Sequence, residues 1–105
     1  MNVNSWQHLP ESKIGEGVYQ KSFSGEGATL AMNRIAPGVT STPHSHMHEQ
    51  IVYVLEGKVN FFVDKEVFFM EPGGLVTIPP YAEHYLETLG EVEAVTMAVF
   101  VPRRD

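Results

Sequence analysis

The chain has 105 residues, 43% of them hydrophobic and 19% charged, which is one ordinary folded domain long enough for a real core. The 7 basic and 13 acidic residues give a net charge of −6, and no run of Lys or Arg exists to neutralise phosphates, so nucleic acid is excluded as an expected partner. There is no cysteine, so disulfides and thiolate chemistry are excluded and any metal must take nitrogen or oxygen ligands.

Residues 1–13 are mixed and polar, with Trp6 and Leu9 as the only sizeable anchors, and read as an arm that pairs or packs weakly. Met1 to Gln7 has no basic start and no apolar centre, and no window holds ~18 consecutive apolar residues. The expectation is therefore a cytoplasmic protein with no signal peptide and no membrane span. Gly15-Glu16-Gly17 opens a first strand, Val18 to Phe23, and Ser24-Gly25-Glu26-Gly27 is a turn by composition. Thr29 to Ile35 is the next strand, ended by Ala36-Pro37-Gly38.

The stretch Pro43-His44-Ser45-His46-Met47-His48-Glu49-Gln50-Ile51-Val52-Tyr53-Val54-Leu55-Glu56-Gly57 reads as a third strand and holds three of the five histidines. Alternate strand residues share a face, so His44 and His46 project together, and His48 and Gln50 have the same parity. Gly57 then turns the chain into Lys58 to Val63, and Asp64-Lys65-Glu66 is a hairpin tip returning through Val67 to Met70. Pro72-Gly73-Gly74 stops that strand. Leu75 to Ile78, His84 to Thr88 and Val92 to Val101 follow, before the tail Pro102-Arg103-Arg104-Asp105. No helical stripe is sustained, and short strands with Gly/Pro punctuation predict an all-β sandwich or barrel. Ile51 to Leu55 is apolar at every position, which predicts a cover over its outer face, either a second sheet or a partner copy; a homodimer is the simplest solution.

Candidate ligands on the residues alone are His44, His46, His48, Glu49, Gln50 and His84. Parity does not choose among those on the His-rich stretch. His84 joins them only if the sheet folds back on itself, as a small barrel does.

The spacing Gly38-x5-His44-x-His46-x3-Gln50-x6-Gly57 resembles the first cupin motif, G-x5-H-x-H-x(3,4)-E-x6-G, and Gly73-x5-Pro79-x-Tyr81-x2-His84 resembles the second, G-x5-P-x-G-x2-H. The resemblance covers roughly residues 28–100. It implies a single double-stranded β-helix (cupin or jelly-roll barrel) domain over 1–105, with an arm at 1–13, a barrel core at about 14–101 and a short tail. It also implies a homodimer and one divalent ion (Fe, Mn, Ni, Zn or Co) held by His44, His46, Gln50 and His84. Two positions depart from the pattern. Tyr81 replaces the usual Gly or Asn, and Gln50 replaces glutamate, bringing an amide oxygen and no charge.

Pro43 to Ile51 is similar to the HSHPHEQ segment of KdgF-type pectin-degradation cupins, which convert unsaturated uronates into linear keto forms. Their last strand reads D-x-F-x-P-x-R. Here Phe100, Pro102 and Arg104 match, but Ala98 stands at the acidic position and cannot move a proton. The resemblance implies Lewis-acid tautomerisation of a small anionic sugar-acid-like ligand. Arg104 or Arg34 would hold its carboxylate, and Tyr81, Tyr85 or His48 would supply the proton relay. Tyr81, Arg104 and His48 are the catalytic candidates, with Phe61, Phe69, Met32 and Phe100 as expected cavity walls. An iron-dependent dioxygenase and a non-enzymatic binding or sensing module are the alternatives.

Overall fold

The computed structural model describes residues 1–104. After a short 3-10 turn at Trp6–His8 the chain forms nine strands: β1 (Ser12–Gly15), β2 (Val18–Ser24), β3 (Thr29–Ile35), β4 (Glu49–Glu56), β5 (Lys58–Val63), β6 (Glu66–Met70), β7 (Leu75–Ile78), β8 (His84–Leu89) and β9 (Ala94–Val101). They build a six-stranded sheet, β1-β2-β3-β9-β4-β7, and a three-stranded sheet, β6-β5-β8, with all named pairs antiparallel. This is the expected double-stranded β-helix. Among the described residues no helix is long and apolar enough to cross a membrane.

Period-2 alternation places the core between the sheets. Along β4 every second residue from Gln50 to Val54 is buried, and along β9 every second residue from Ala94 to Phe100. Val54, Val59, Ile78 and Ala94 lose all their exposure, and Val52, Phe61, Ala98 and Phe100 nearly all. Burying a side chain of the Val, Ile or Phe size contributes about 1.5–3 kcal/mol, so this inner layer supplies the main drive to fold.

Ile51 and Tyr53 face outward and each keeps 41% of its surface, so no described residue supplies the second sheet that was one of the two covers expected there. Two strand bounds are corrected by the structure. The strand expected within the His-rich stretch begins only at Glu49. Residues 39–44 instead run beside β8 through the bridges Thr40↔Glu87 and His44↔His84, and the chain then crosses to the larger sheet. Pro43 has no N–H to donate, and Gly38 turns the entry with φ 74, so a regular ladder cannot extend through here. The last strand starts at Ala94, and Val92 is exposed. The N-terminal arm pairs with the sheet: β1 lies against β2, and Lys21 Nζ donates to the Trp6 carbonyl.

Candidate metal centre

His44 and His84 meet because the corner segment and the start of β8 exchange two backbone bonds, His44 N–H to His84 O at 3.1 Å and His84 N–H to His44 O at 2.9 Å. Tyr81 helps to hold the corner, its N–H donating to the His46 carbonyl at 2.7 Å. It does so with φ 67, the left-handed state in which a Gly is ordinarily expected and which costs a bulky residue on the order of 1–2 kcal/mol. One ring nitrogen from each of His44, His46 and His84 then lies within 4.8 Å of the other two.

The hydrogen bonds settle which nitrogen. His44 Nδ1 lies 2.9 Å from Thr42 O, His46 Nδ1 3.0 Å from His48 O, and His84 Nδ1 2.9 Å from Ala82 O. A carbonyl only accepts, so each Nδ1 carries the proton and each Nε2 presents a bare lone pair. His84 Nε2 is buried with no partner, an arrangement that costs about 1–3 kcal/mol unless something is bound there. Gln50 Oε1 sits 3.0 Å from His46 Nε2. The amide oxygen of Gln50 therefore stands beside the ring nitrogen that would face a divalent ion. The donor set fits a metal.

Burial tunes the same rings. His84 keeps 2% of its surface. Desolvation lowers its pKa to about 4, against the opposing effect of its bond to the Ala82 carbonyl, and desolvation likewise holds the His46 pKa below the usual histidine value. Both are therefore neutral at pH 7, as ligation requires. The linkage has a definite sign. Below an unfolded-state pKa of about 6.5 the unfolded chain takes up a proton that folded His84 refuses, so stability is lost as pH falls from there towards 4. Thermal unfolding of chelator-treated protein should show a loss on the order of 2 kcal/mol across this window, and His84→Asn should flatten the profile. An equally steep profile in the variant would contradict the assignment.

The metal centre opens on a cavity of about 420 Å³ between the sheets, bordered by His44, Gln50, His84, Phe61, Phe100 and Arg104 among others. Arg104 reaches it because the tail is pinned: its N–H donates to Thr29 Oγ1 at 3.0 Å, and the Thr29 hydroxyl donates to its carbonyl at 2.9 Å. The guanidinium carbon lies 4.6 Å from the centre of the Phe100 ring. Among the described residues no carboxylate pairs with Arg104.

The other candidates fall elsewhere. Arg34 is held on the outer face by Glu11 and Glu93 over the Tyr19 ring. Tyr81 keeps 73% of its surface and does not border the cavity. Tyr85 borders it, but its ring stacks on Phe62 at 4.4 Å, on the strand face opposite His84. His48 lies behind His46, its ring edge-on to it, and acts on the centre through its carbonyl; its Nδ1 is buried without a partner. Two expected walls are corrected. Phe69 is exposed on the outer face of β6, and Met32 faces away from the cavity, alternating with Ala31 and Asn33. Among the wall residues missed by the sequence reading are Gln20, Asn33 and Thr96. The available signal was a polar residue at an inward position of each of three adjacent strands.

Residues 31–100 match the family model described as Cupin domain. The chain is similar to an uncharacterized protein of Methanocaldococcus jannaschii, 32% identical over 82 residues that make up 77% of this chain and 66% of that one. It is also similar to the 1-methylthio-D-xylulose 5-phosphate methylsulfurylase of Rhodospirillum rubrum, 37% identical over 67 residues, 62% of this chain and 43% of that one. The chain thus spans just under two thirds and under half of these relatives' lengths. Among solved structures, KdgF from Halomonas sp. superposes with a TM-score of 0.87 at 24% identity, covering 96% of this chain and 93% of that one, a likeness of fold.

Proposed function

The chain belongs to the cupin family, and from that premise we propose that it is a divalent-metal-dependent cupin that tautomerises a small anionic sugar-acid-like compound, an unsaturated uronate, to its linear keto form. The observation that carries this reading is that one cavity brings convergent histidine lone pairs together with Arg104, a cation that no described carboxylate pairs. A bound ion at His44, His46, Gln50 and His84, whether iron, manganese, nickel, zinc or cobalt, would supply Lewis-acid polarisation of a carbonyl or enol oxygen.

The four donors are all neutral, so none cancels the charge they surround, which favours an anionic ligand. Arg104 takes the carboxylate by a bidentate pair, and Phe100 beneath it orients the guanidinium. Phe61 and Phe100 keep the wall apolar and limit water. The net reaction is an isomerisation: the hemiacetal O–H proton leaves, the ring C–O bond breaks to give an enol, and a C–H bond forms as the enol becomes a ketone. It needs no oxidant and no second substrate. The likeness in fold to KdgF supports this reading, as does the sequence likeness to an enzyme named for a phosphorylated keto sugar.

One observation favours a second reading, binding or sensing without turnover. Ala98 lies between Thr96 and Phe100 on the inward face of β9 and brings no proton, and Tyr81 and His48 do not border the cavity. The carboxylate that does is Glu16, ion-paired with Lys13 and exposed. The outward Ile51, Tyr53, Leu75 and Val101 on neighbouring strands support a homodimer through that face.

Arg104→Met tests the carboxylate role. On unsaturated uronates, followed by their ultraviolet absorbance, KM should rise at least about tenfold while metal content stays at the parent's level. An unchanged KM would remove Arg104 from the site. Saturable uronate binding with no loss of absorbance in the parent would favour the binding reading.

A further inference from the structure

One row of the larger sheet is polar on each of the strands β2, β3 and β9. Gln20, Asn33 and Thr96 are directly opposite one another across β2, β3 and β9. On the same three strands the adjoining rows carry Ser22, Ala31 and Ala98 on one side, and Val18, Ile35 and Ala94 on the other. On β3 and β9 packing is therefore served by apolar residues on both sides of Asn33 and Thr96. The three polar side chains instead form a chain of hydrogen bonds, Gln20 Nε2–H to Asn33 Oδ1 at 2.9 Å and Asn33 Nδ2–H to Thr96 Oγ1 at 3.4 Å. All three border the cavity that also holds the metal centre and Arg104.

Counting donors and acceptors shows what this chain of bonds leaves over. Thr96 keeps 1% of its surface and accepts from Asn33, while its own hydroxyl proton has no acceptor among the described residues. Gln20 Oε1 accepts nothing there, and each amide has a second N–H to spare. The row therefore offers both donors and acceptors at fixed spacing along one wall. A hydroxyl both donates and accepts, so a run of ligand hydroxyls satisfies such a wall, and a plain hydrocarbon does not.

We infer that Gln20, Asn33 and Thr96 are a hydroxyl-reading subsite, so that the ligand of this cavity is polyhydroxylated as well as anionic. This rests on the proposed anionic sugar-acid ligand and specifies how its sugar part is told from other carboxylates. A site built to pair with hydroxyls rejects an analogue lacking them, because its own buried polar groups are then left unpaired. The cavity, at about 420 Å³, is at the small end of ligand sites and takes one monosaccharide.

The test uses two probes with one ring and one carboxylate each, D-galacturonate and cyclohexanecarboxylate, titrated calorimetrically into the protein as purified. The parent should bind galacturonate about tenfold more tightly. Thr96→Val, which keeps the shape, and Gln20→Met, at a half-buried position, should each cost about fivefold to tenfold for galacturonate and leave cyclohexanecarboxylate within about twofold. Thermal unfolding of each variant checks the fold, and Gln20→Met keeps the question open to test should Thr96→Val fold poorly. Equal binding of the two probes by the parent, or parallel loss of both in the variants, overturns the subsite. The reaction is judged separately. Discrimination without turnover of unsaturated uronate keeps the subsite and removes the tautomerase, whereas turnover without discrimination keeps the tautomerase and removes the subsite.

Discussion

Replacing His84 by alanine should reduce bound metal from about one ion per chain to background, an affinity loss of about 100-fold or more. The ring is the most buried of the three and its Nε2 lone pair has no protein partner, which a bound ion would supply. No nearby side chain can substitute. His48 is turned behind His46, and Gln50 already faces the His46 ring. Elemental analysis of the purified variant reads the result, with circular dichroism to confirm the sheet content. His8→Ala is the control, because His8 is exposed and bonds to Ser5 far along the chain from the centre. Full metal content in His84→Ala would dissolve the ligand set.

Gly57→Ala should cost about 3 kcal/mol or more and lower Tm by more than about 10 °C. Gly57 takes φ 79 at the turn where the chain passes from β4 in the larger sheet to β5 in the smaller one, which an L residue adopts only with strain. A Cβ there would also meet Glu93 O at 2.7 Å and the Ala94 Cα at 2.8 Å, both backbone atoms that cannot swing away. Gly38 separates the two effects. It has φ 74 but nothing within 4 Å of an added Cβ, so Gly38→Ala should show only the conformational part, roughly 1 kcal/mol. Calorimetric melting of both variants checks the difference, and equal losses would mean the close approach to β9 is unimportant.

These two residues show what kind of information the sequence carries. Gly57 and His84 are legible because each is fixed locally, by a tight turn and by a strand start just after Pro79-Pro80, and their spacing to His44 and His46 survives as a pattern. The strands were legible for the same reason, since Gly and Pro bound most of them. The Gln20–Asn33–Thr96 row was not. Its members are 13 and 63 positions apart and meet only through the register of β2, β3 and β9. Residues 43–48 were misread as strand because histidine parity looks the same in a regular ladder and in isolated bridges. Phe69 was expected as a cavity wall because Val67-Phe68-Phe69-Met70 is apolar on both parities, and only the position of β6 at the edge of the smaller sheet shows that Phe69 faces out. Ala98 was singled out because the resemblance puts an acidic residue at its position. The structure adds that it lies on the inward face between Thr96 and Phe100.

The central claim is a metal-dependent, redox-independent isomerisation. It is tested most directly by stripping the protein with a chelator, reloading it with zinc under nitrogen, and following the ultraviolet absorbance of an unsaturated galacturonate. The account predicts loss of absorbance that requires the metal and proceeds without oxygen. Activity restored by iron alone and coupled to oxygen consumption would contradict it and identify a dioxygenase.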